Sequence, residues 1–279
     1  MSVESSIVSE RPSVAIIGIG AMGGALMSGL LAAGWEPQEI SLCVRHQDRA
    51  DELASETGCA TTVKAGQAAA GRDVVVVAVK PRSVPAVSES LKGSIAASQT
   101  LVSIAAGVTI ASYEFQLGPI AVVRAMPNTP ALVRQGVTGI AAGQHAGPQN
   151  LKVATSVLAA VGTVRVMEEH LLDAVTAVSG TGPAYVFLLA EAMIEAGMRE
   201  GLPRDLAESF VDQTIRGAGY LLTDTSKTPA ELRYEVTSPG GTTAAAMHVL
   251  EEKGFRALVV DAVRAAAEKA TELGEAEPS

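Results

Sequence analysis

A β-branched run, residues 14–18, leads without interruption into Gly18-Ile19-Gly20-Ala21-Met22-Gly23 and then into an alanine- and leucine-rich helical pattern over residues 22–33. A strand that passes through G-x-G-x-x-G into a helix leaves few folds open, because each glycine answers a separate steric demand. Gly18 permits the tight turn, Gly20 lets backbone approach a pyrophosphate, and Gly23 allows close packing of helix on strand. The start of the helix offers free N–H groups and a partial positive charge to that anion. Gly18, Ile19, Gly20, Ala21, Met22 and Gly23 are therefore candidate cofactor-binding residues.

The alternation continues with a strand at 40–44 and a helix at 48–57, giving βαβα. Residues 73–79 are nearly all valine, as a parallel strand covered on both faces requires, and are expected at the centre of the sheet. Further strands are expected at 101–105, 121–124, 137–142 and 161–167. After Glu168 the pattern changes to three- and four-residue apolar spacing, with helices expected at 185–197, 204–222, 242–253 and 255–273. Gly201-Leu202-Pro203 and Ser238-Pro239-Gly240-Gly241 separate them. The expected fold is thus an α/β Rossmann domain with a mostly parallel sheet over 13–168, followed by an all-α domain over 169–273. Residues 1–12 read as a loose tail and 274–279 as a frayed end.

Hydrophobic residues make up 48% of the 279 but aromatics only 3%, so the core is built from Ala, Val, Leu and Ile. The helices from Tyr185 onward are apolar over more than one face, which points to association of chains. A net charge of -9 argues against nucleic acid or an anionic membrane as partner. Gly, Pro or charge cuts every apolar run short of the ~20 residues of a membrane span. The first twelve residues lack the pattern of a signal peptide, so the expected location is the cytoplasm. Cys43 and Cys59 are too few for a disulfide framework, and neither H-E-x-x-H, C-x-x-C, G-x-S-x-G nor a P-loop occurs, so no metal is expected.

The end of the second strand distinguishes the two nicotinamide dinucleotides, since an acid there bonds a ribose 2′-OH and repels a 2′-phosphate. The sequence reads Val44-Arg45-His46-Gln47, with no acid and with Arg45 able to fork onto a phosphate. NADPH is the expected cofactor, with NADH as the alternative. Ala78, Val79, Lys80 and Pro81 end the central strand, where ligands of open α/β sheets bind. Ala105 and Ala106 end another and leave room for a flat nicotinamide, while Asn128 either donates to its amide or fixes its own loop. In the helical half, Ser179-Gly180-Thr181-Gly182-Pro183-Ala184-Tyr185 reads as a glycine-rich loop before a helix. Val236-Thr237-Ser238-Pro239-Gly240-Gly241-Thr242-Thr243 places consecutive amides ahead of another helix, an arrangement that receives a carboxylate without arginine.

Taken together, these strings resemble the pyrroline-5-carboxylate reductases. The likeness runs from about Ser13 to Leu273 and is most specific at Ala78-Val79-Lys80-Pro81, at Ala177-Val178-Ser179-Gly180-Thr181-Gly182-Pro183-Ala184-Tyr185 and at 236–243. It implies an enzyme of proline biosynthesis, an oxidoreductase that moves a hydride from NADPH to C5 of 1-pyrroline-5-carboxylate, giving L-proline. It also implies a helical domain that interlocks with a partner subunit, in a homodimer or dimer-based oligomer, with an active site shared between chains. By the same resemblance Ser238, Gly240, Gly241 and Thr242 hold the substrate carboxylate, and the Thr243 hydroxyl touches the ring nitrogen as the catalytic residue. Two positions depart from the pattern: Thr181 stands where many relatives have Ser, and Lys64-Ala65 where relatives often carry an Asn at the adenosine end.

Two other readings compete. A β-hydroxyacid dehydrogenase-like enzyme would carry a Lys four residues before an Asn after its glycine loop, and residues 183–189 contain no such pair. A nonenzymatic NADPH-sensing protein would keep the dinucleotide fold without a use for the carboxylate cradle.

Overall fold

The computed structural model describes residues 11–275. Eight strands form one sheet: β1 Val14–Ile17, β2 Ile40–Cys43, β3 Ala60–Thr62, β4 Val74–Val77, β5 Thr100–Ser103, β6 Ala121–Met126, β7 Gly136–Ala142 and β8 Gly162–Val166, ordered β3-β2-β1-β4-β5-β6-β7-β8. All pairings are parallel except β6 with β7. The valine strand β4 does sit centrally. Along each strand alternate residues serve opposite faces, as a pleat of period two demands. Val14, Ile16, Val74 and Val76 join one buried cluster, and Ala15, Ile17, Val75 and Val77 join the other.

Helices α1 Ala21–Ala32, α2 Gln47–Thr57, α3 Ala65–Ala69, α4 Val84–Leu91, α5 Ile110–Leu117 and α6 Pro148–Leu158 link the strands. β3 was not among the expected strands: it is three residues long and half-exposed at the sheet edge, too short for an alternating pattern to register. Ile17 stands opposite both Cys43 and Val77, so β1, β2 and β4 end in line and their following loops emerge at one edge.

The helical part comprises α7 Leu172–Val175, a π-helical turn Thr176–Gly180, α8 Gly182–Arg199, α9 Arg204–Asp224, α10 Pro229–Glu235, α11 Thr242–Glu252 and α12 Phe255–Glu275. The expected loop at 179–185 is therefore corrected: helical turns run through it, with Pro183 accommodated in the first turn of α8, where a missing N–H is harmless. The same continuity corrects the expectation about apolar runs. Glu169–Arg199 is a 31-residue helical stretch with an 18-residue window of mean hydropathy 1.3, long and apolar enough to cross a membrane by length and composition.

Contacts divide the chain into two units, one reaching Gly180 and resuming at Ala267, the other Thr181–Ala266. The division falls later than the change of sequence pattern at Glu168, because 169–180 are tied to the sheet unit: Leu172 is fully buried in its core and Glu169 and Asp173 bond a strand arginine. The expected tails are described only at residues 11–12 and 274–275. Residues 1–10 and 276–279 lie outside the described part, but Pro12 accepts a bond from Trp35 Nε1 at 3.0 Å and Arg11 stacks on the Trp35 ring. Gly274 is helical, and Leu273 and Gly274 pack beside Gly107.

Candidate active site

Within the sheet unit a pocket of about 730 Å³ opens where β1, β2 and β4 end. Gly18, Ile19, Gly20, Arg45, Ala78, Val79 and Lys80 line it, so the structure gathers these expected residues at one place. The glycine turn is fixed by backbone bonds, Gly18 N to Cys43 O at 2.8 Å and Ala78 N to Ile17 O at 2.8 Å. Gly18 has φ +100°, and a side chain there would strike Val79 Cγ1 and the Ala78 carbonyl at 2.8 and 2.9 Å. A Cβ at Gly23 would collide with the Gly18 carbonyl. At Gly20, by contrast, nothing stands within 4 Å, so the fold itself makes no steric demand for glycine and the open side is available to a ligand. Gly20 begins α1 without any side-chain cap, leaving that helix start free to face an anion.

Ala21, Met22, Gly23, Pro81, Ala105 and Ala106 do not line this pocket. Ala105 is buried in the core beside Val108 and Tyr113, and Ala106 is exposed in the loop after β5. The pocket also contains residues the sequence did not single out, Arg49, Val63, Arg82 and Ala86 among them. Cys43 lines it too, and burial pushes its thiol up to about 11 from 9.0. Ala65, at the position that departs from the family pattern, forms part of the wall.

Asn128 settles the choice left open for it. Its Nδ2 donates to the carbonyl and the hydroxyl of Ser179 at 3.3 and 3.2 Å, and its Oδ1 accepts from Val137 N at 2.9 Å. It fixes the loop, and its amide nitrogen is engaged by Ser179. Nearby, Arg124 within β6 reaches Glu169 and Asp173, each at 3.2 Å, and Glu169 Oε1 also accepts from Ile110 N at 2.9 Å. Arg124 is 9% exposed, so these bonds replace much of its lost hydration.

In the helical unit, Ser238, Gly240, Gly241, Thr242 and Thr243 form a tight turn running into α11. Gly240 adopts φ +70°, and Gly241 N donates to Ser238 O at 3.0 Å. The Gly241 amide, expected to face a ligand, closes the turn here. The amides of Thr242 and Thr243 open α11, which has no side-chain cap, and they are the donors this turn presents. Flanking helices brace the turn. Thr228 and Glu231 cap α10 reciprocally, with bonds from Thr228 that hold the Glu231 carboxyl below the usual range. Glu251 on α11 is gripped by Arg256 at 2.8 to 2.9 Å and approached by Arg233 at 3.5 Å, and the Arg256 bonds lower its carboxyl likewise.

A family model described as pyrroline-5-carboxylate reductase dimerisation matches residues 169–273, and one described as NADP oxidoreductase, coenzyme F420-dependent, matches 13–107. A pyrroline-5-carboxylate reductase of Corynebacterium melassecola is 41% identical over 266 residues, covering 94% of this chain and 98% of the relative. One from Pseudomonas aeruginosa is 42% identical, covering 95% and 97%. Among solved structures, a pyrroline-5-carboxylate reductase from Coxiella burnetii superposes with TM-score 0.91 at 38% identity, covering 95% and 99%. A pyrroline carboxylate reductase of Plasmodium falciparum with NADP bound gives 0.84 at 30% identity, covering 95% and 99%.

Proposed function

The chain belongs to the pyrroline-5-carboxylate reductase family, and from that membership we propose that it reduces 1-pyrroline-5-carboxylate to L-proline with NADPH, the closing step of proline biosynthesis. The observation that carries the reading is the presence in one chain of a cation-lined pocket at the glycine turn and an uncapped Ser-Pro-Gly-Gly-Thr-Thr helix start. The pocket residues fit an anionic dinucleotide. Gly20 leaves open space at the helix start, the lining holds Arg45, Lys80 and Arg82, and no carboxylate is among the lining side chains.

When bound, the reduced nicotinamide supplies the hydride. The chain's residues then have three tasks. Gly18, Ile19, Gly20, Ala78, Val79 and Lys80 hold the dinucleotide at the sheet edge. The amides of Thr242 and Thr243, with the Ser238 hydroxyl, receive the substrate carboxylate. The Thr243 hydroxyl orients the ring nitrogen; as C5 gains the hydride, the C=N electron pair moves onto that nitrogen, which becomes the amine of proline. A cyclic imine protonated in solution is already electrophilic, so no histidine acid is required, and orientation supplies much of the rate.

The active assembly in this reading is a homodimer, or a higher oligomer built from dimers, with residues 169–273 as its dimerisation half and 13–168 as its dinucleotide half. Among the described residues of Thr181–Ala266, only Ala207 and Val211 are buried apolar side chains, so a lone chain gives this unit almost no core. Two unpaired cysteines accord with a reducing, cytoplasmic location. The test is a steady-state assay of purified protein with 1-pyrroline-5-carboxylate and each nicotinamide, read at the nicotinamide absorbance band. Turnover with preference for NADPH is the expected result; binding of NADPH without turnover would replace the enzyme by a dinucleotide sensor.

A further inference from the structure

We infer that Arg82 is a second reader of the cofactor's 2′-phosphate, facing Arg45 across the end of β1; this rests on the NADPH reading above. Four cationic side chains line the pocket: Arg45, Arg49, Lys80 and Arg82. Arg49 is answered on its own helix by Glu52 at 2.5 Å and Glu56 at 3.7 Å. Arg45, Lys80 and Arg82 form no ion pair among the described residues, although the chain as a whole carries a net charge of -9. Three uncompensated cations gathered at one pocket of an acidic protein are arranged for an anion.

Their positions assign separate parts of that anion. β2 and β4 are the two neighbours of β1, and with strands ~4.8 Å apart the loops after them are about 10 Å from one another across the glycine turn. The pyrophosphate of a dinucleotide rests at that turn, and the adenosine ribose lies toward the end of β2. Val79 packs against Gly18, which keeps Lys80 beside the pyrophosphate position. Arg82 comes later, in the 3₁₀ turn Pro81–Ser83, and lines the pocket together with Ala86 and Val87 of α4 and with Val63 and Ala65. Those small apolar side chains suit a flat adenine, so a guanidinium at Arg82 is placed at the ribose edge of the same lining. A guanidinium fork matches a phosphate dianion where an ammonium provides only a point charge.

The experiment measures binding without turnover. Purified full-length protein, Arg82→Ala, Arg82→Lys and Arg45→Ala are titrated calorimetrically with 2′,5′-ADP and with 5′-AMP, which lacks the 2′-phosphate. Arg82 is exposed, so its truncation leaves the fold intact, and unchanged 5′-AMP binding checks this directly. Arg82→Ala should weaken 2′,5′-ADP five- to fiftyfold, the range of a charge-assisted contact, and 5′-AMP less than twofold, with partial recovery in Arg82→Lys. Parental 2′,5′-ADP affinity in Arg82→Ala, or equal losses on both ligands, would overturn the inference while leaving the Arg45 result and the NADPH reading standing. Parental protein that binds both ligands alike would overturn the NADPH reading and this inference together.

Discussion

Asn128 has all its polar side-chain atoms bonded within the fold, whereas Thr243 stands in the first turn of an uncapped helix. The contrast separates a residue that fixes its own loop from the one proposed to touch substrate. Thr243→Ala should lower kcat/KM tenfold to a hundredfold, the scale of one lost polar contact of about 1.4 to 3 kcal/mol. Unaltered kinetics in that variant would remove the hydroxyl from the mechanism. Cys43 gives a prediction in pH. Because burial raises its thiol to about 11, the protonated form persists through neutral and mildly basic solution, and reactivity appears only as pH climbs toward that value. At pH 8 the thiolate population is about a hundredfold below that of an ordinary thiol of pKa 9.0, and iodoacetamide labelling followed by mass spectrometry should find Cys43 correspondingly slow. Labelling at the rate of a free thiol would contradict the burial argument. Gly18, Gly20, Arg45 and Lys80 were legible as candidates for this pocket because the glycine spacing and strand ends mark them in one dimension. Arg82 was not, since its significance depends on β4 lying beside β1, a fact of sheet order that local pattern does not carry.

Between elements, the Arg124 cluster joins β6, the start of α5 and the segment leading into α7 through one guanidinium and two carboxylates. Removing the cation leaves two partly exposed acids facing each other. Arg124→Met is expected to destabilise the protein by about 2 to 3 kcal/mol, toward the low end for a broken buried pair because the carboxylates retain some water. Glu169→Gln, which keeps an acceptor for Ile110 N, should cost less than half as much. Urea unfolding of both variants beside the parental protein tests the order, and an Arg124→Met midpoint equal to the parental one would show that the pairing contributes nothing. The principal strands were readable from their β-branched runs, and α9, α11 and α12 from their apolar spacing. The π-helical turn at Thr176–Gly180 was not, because Gly180, Gly182 and Pro183 look like breakers in sequence, whereas in space the proline occupies a first-turn position where it does not interrupt bonding. α10 escaped notice although Thr228 and Glu231 spell a capping box, a signal that outweighs the shortness of the helix.

At the scale of the molecule, the two units differ most in how they satisfy their apolar residues. The sheet unit buries two clusters, one on each face, whereas Phe187, Leu188, Phe210 and Leu258 are 62%, 66%, 64% and 65% exposed in a single chain. The exposure was legible in the sequence as helices apolar on more than one face; which of those faces the proposed second copy covers is not written in the pattern of one chain. Phe187→Glu combined with Phe210→Glu should shift the protein from dimer toward monomer in analytical ultracentrifugation and lower specific activity at least tenfold, since each introduced carboxylate would have to be buried unpaired. A fully dimeric, fully active double variant would show that these faces are not the interface. A helical half with so little interior of its own has a genetic consequence. In the proposed homodimer a defective copy that still associates is not silent, because it occupies an intact chain and draws it into a mixed pair. In cells making both, proline synthesis should therefore fall below what the dosage of the sound gene alone would give.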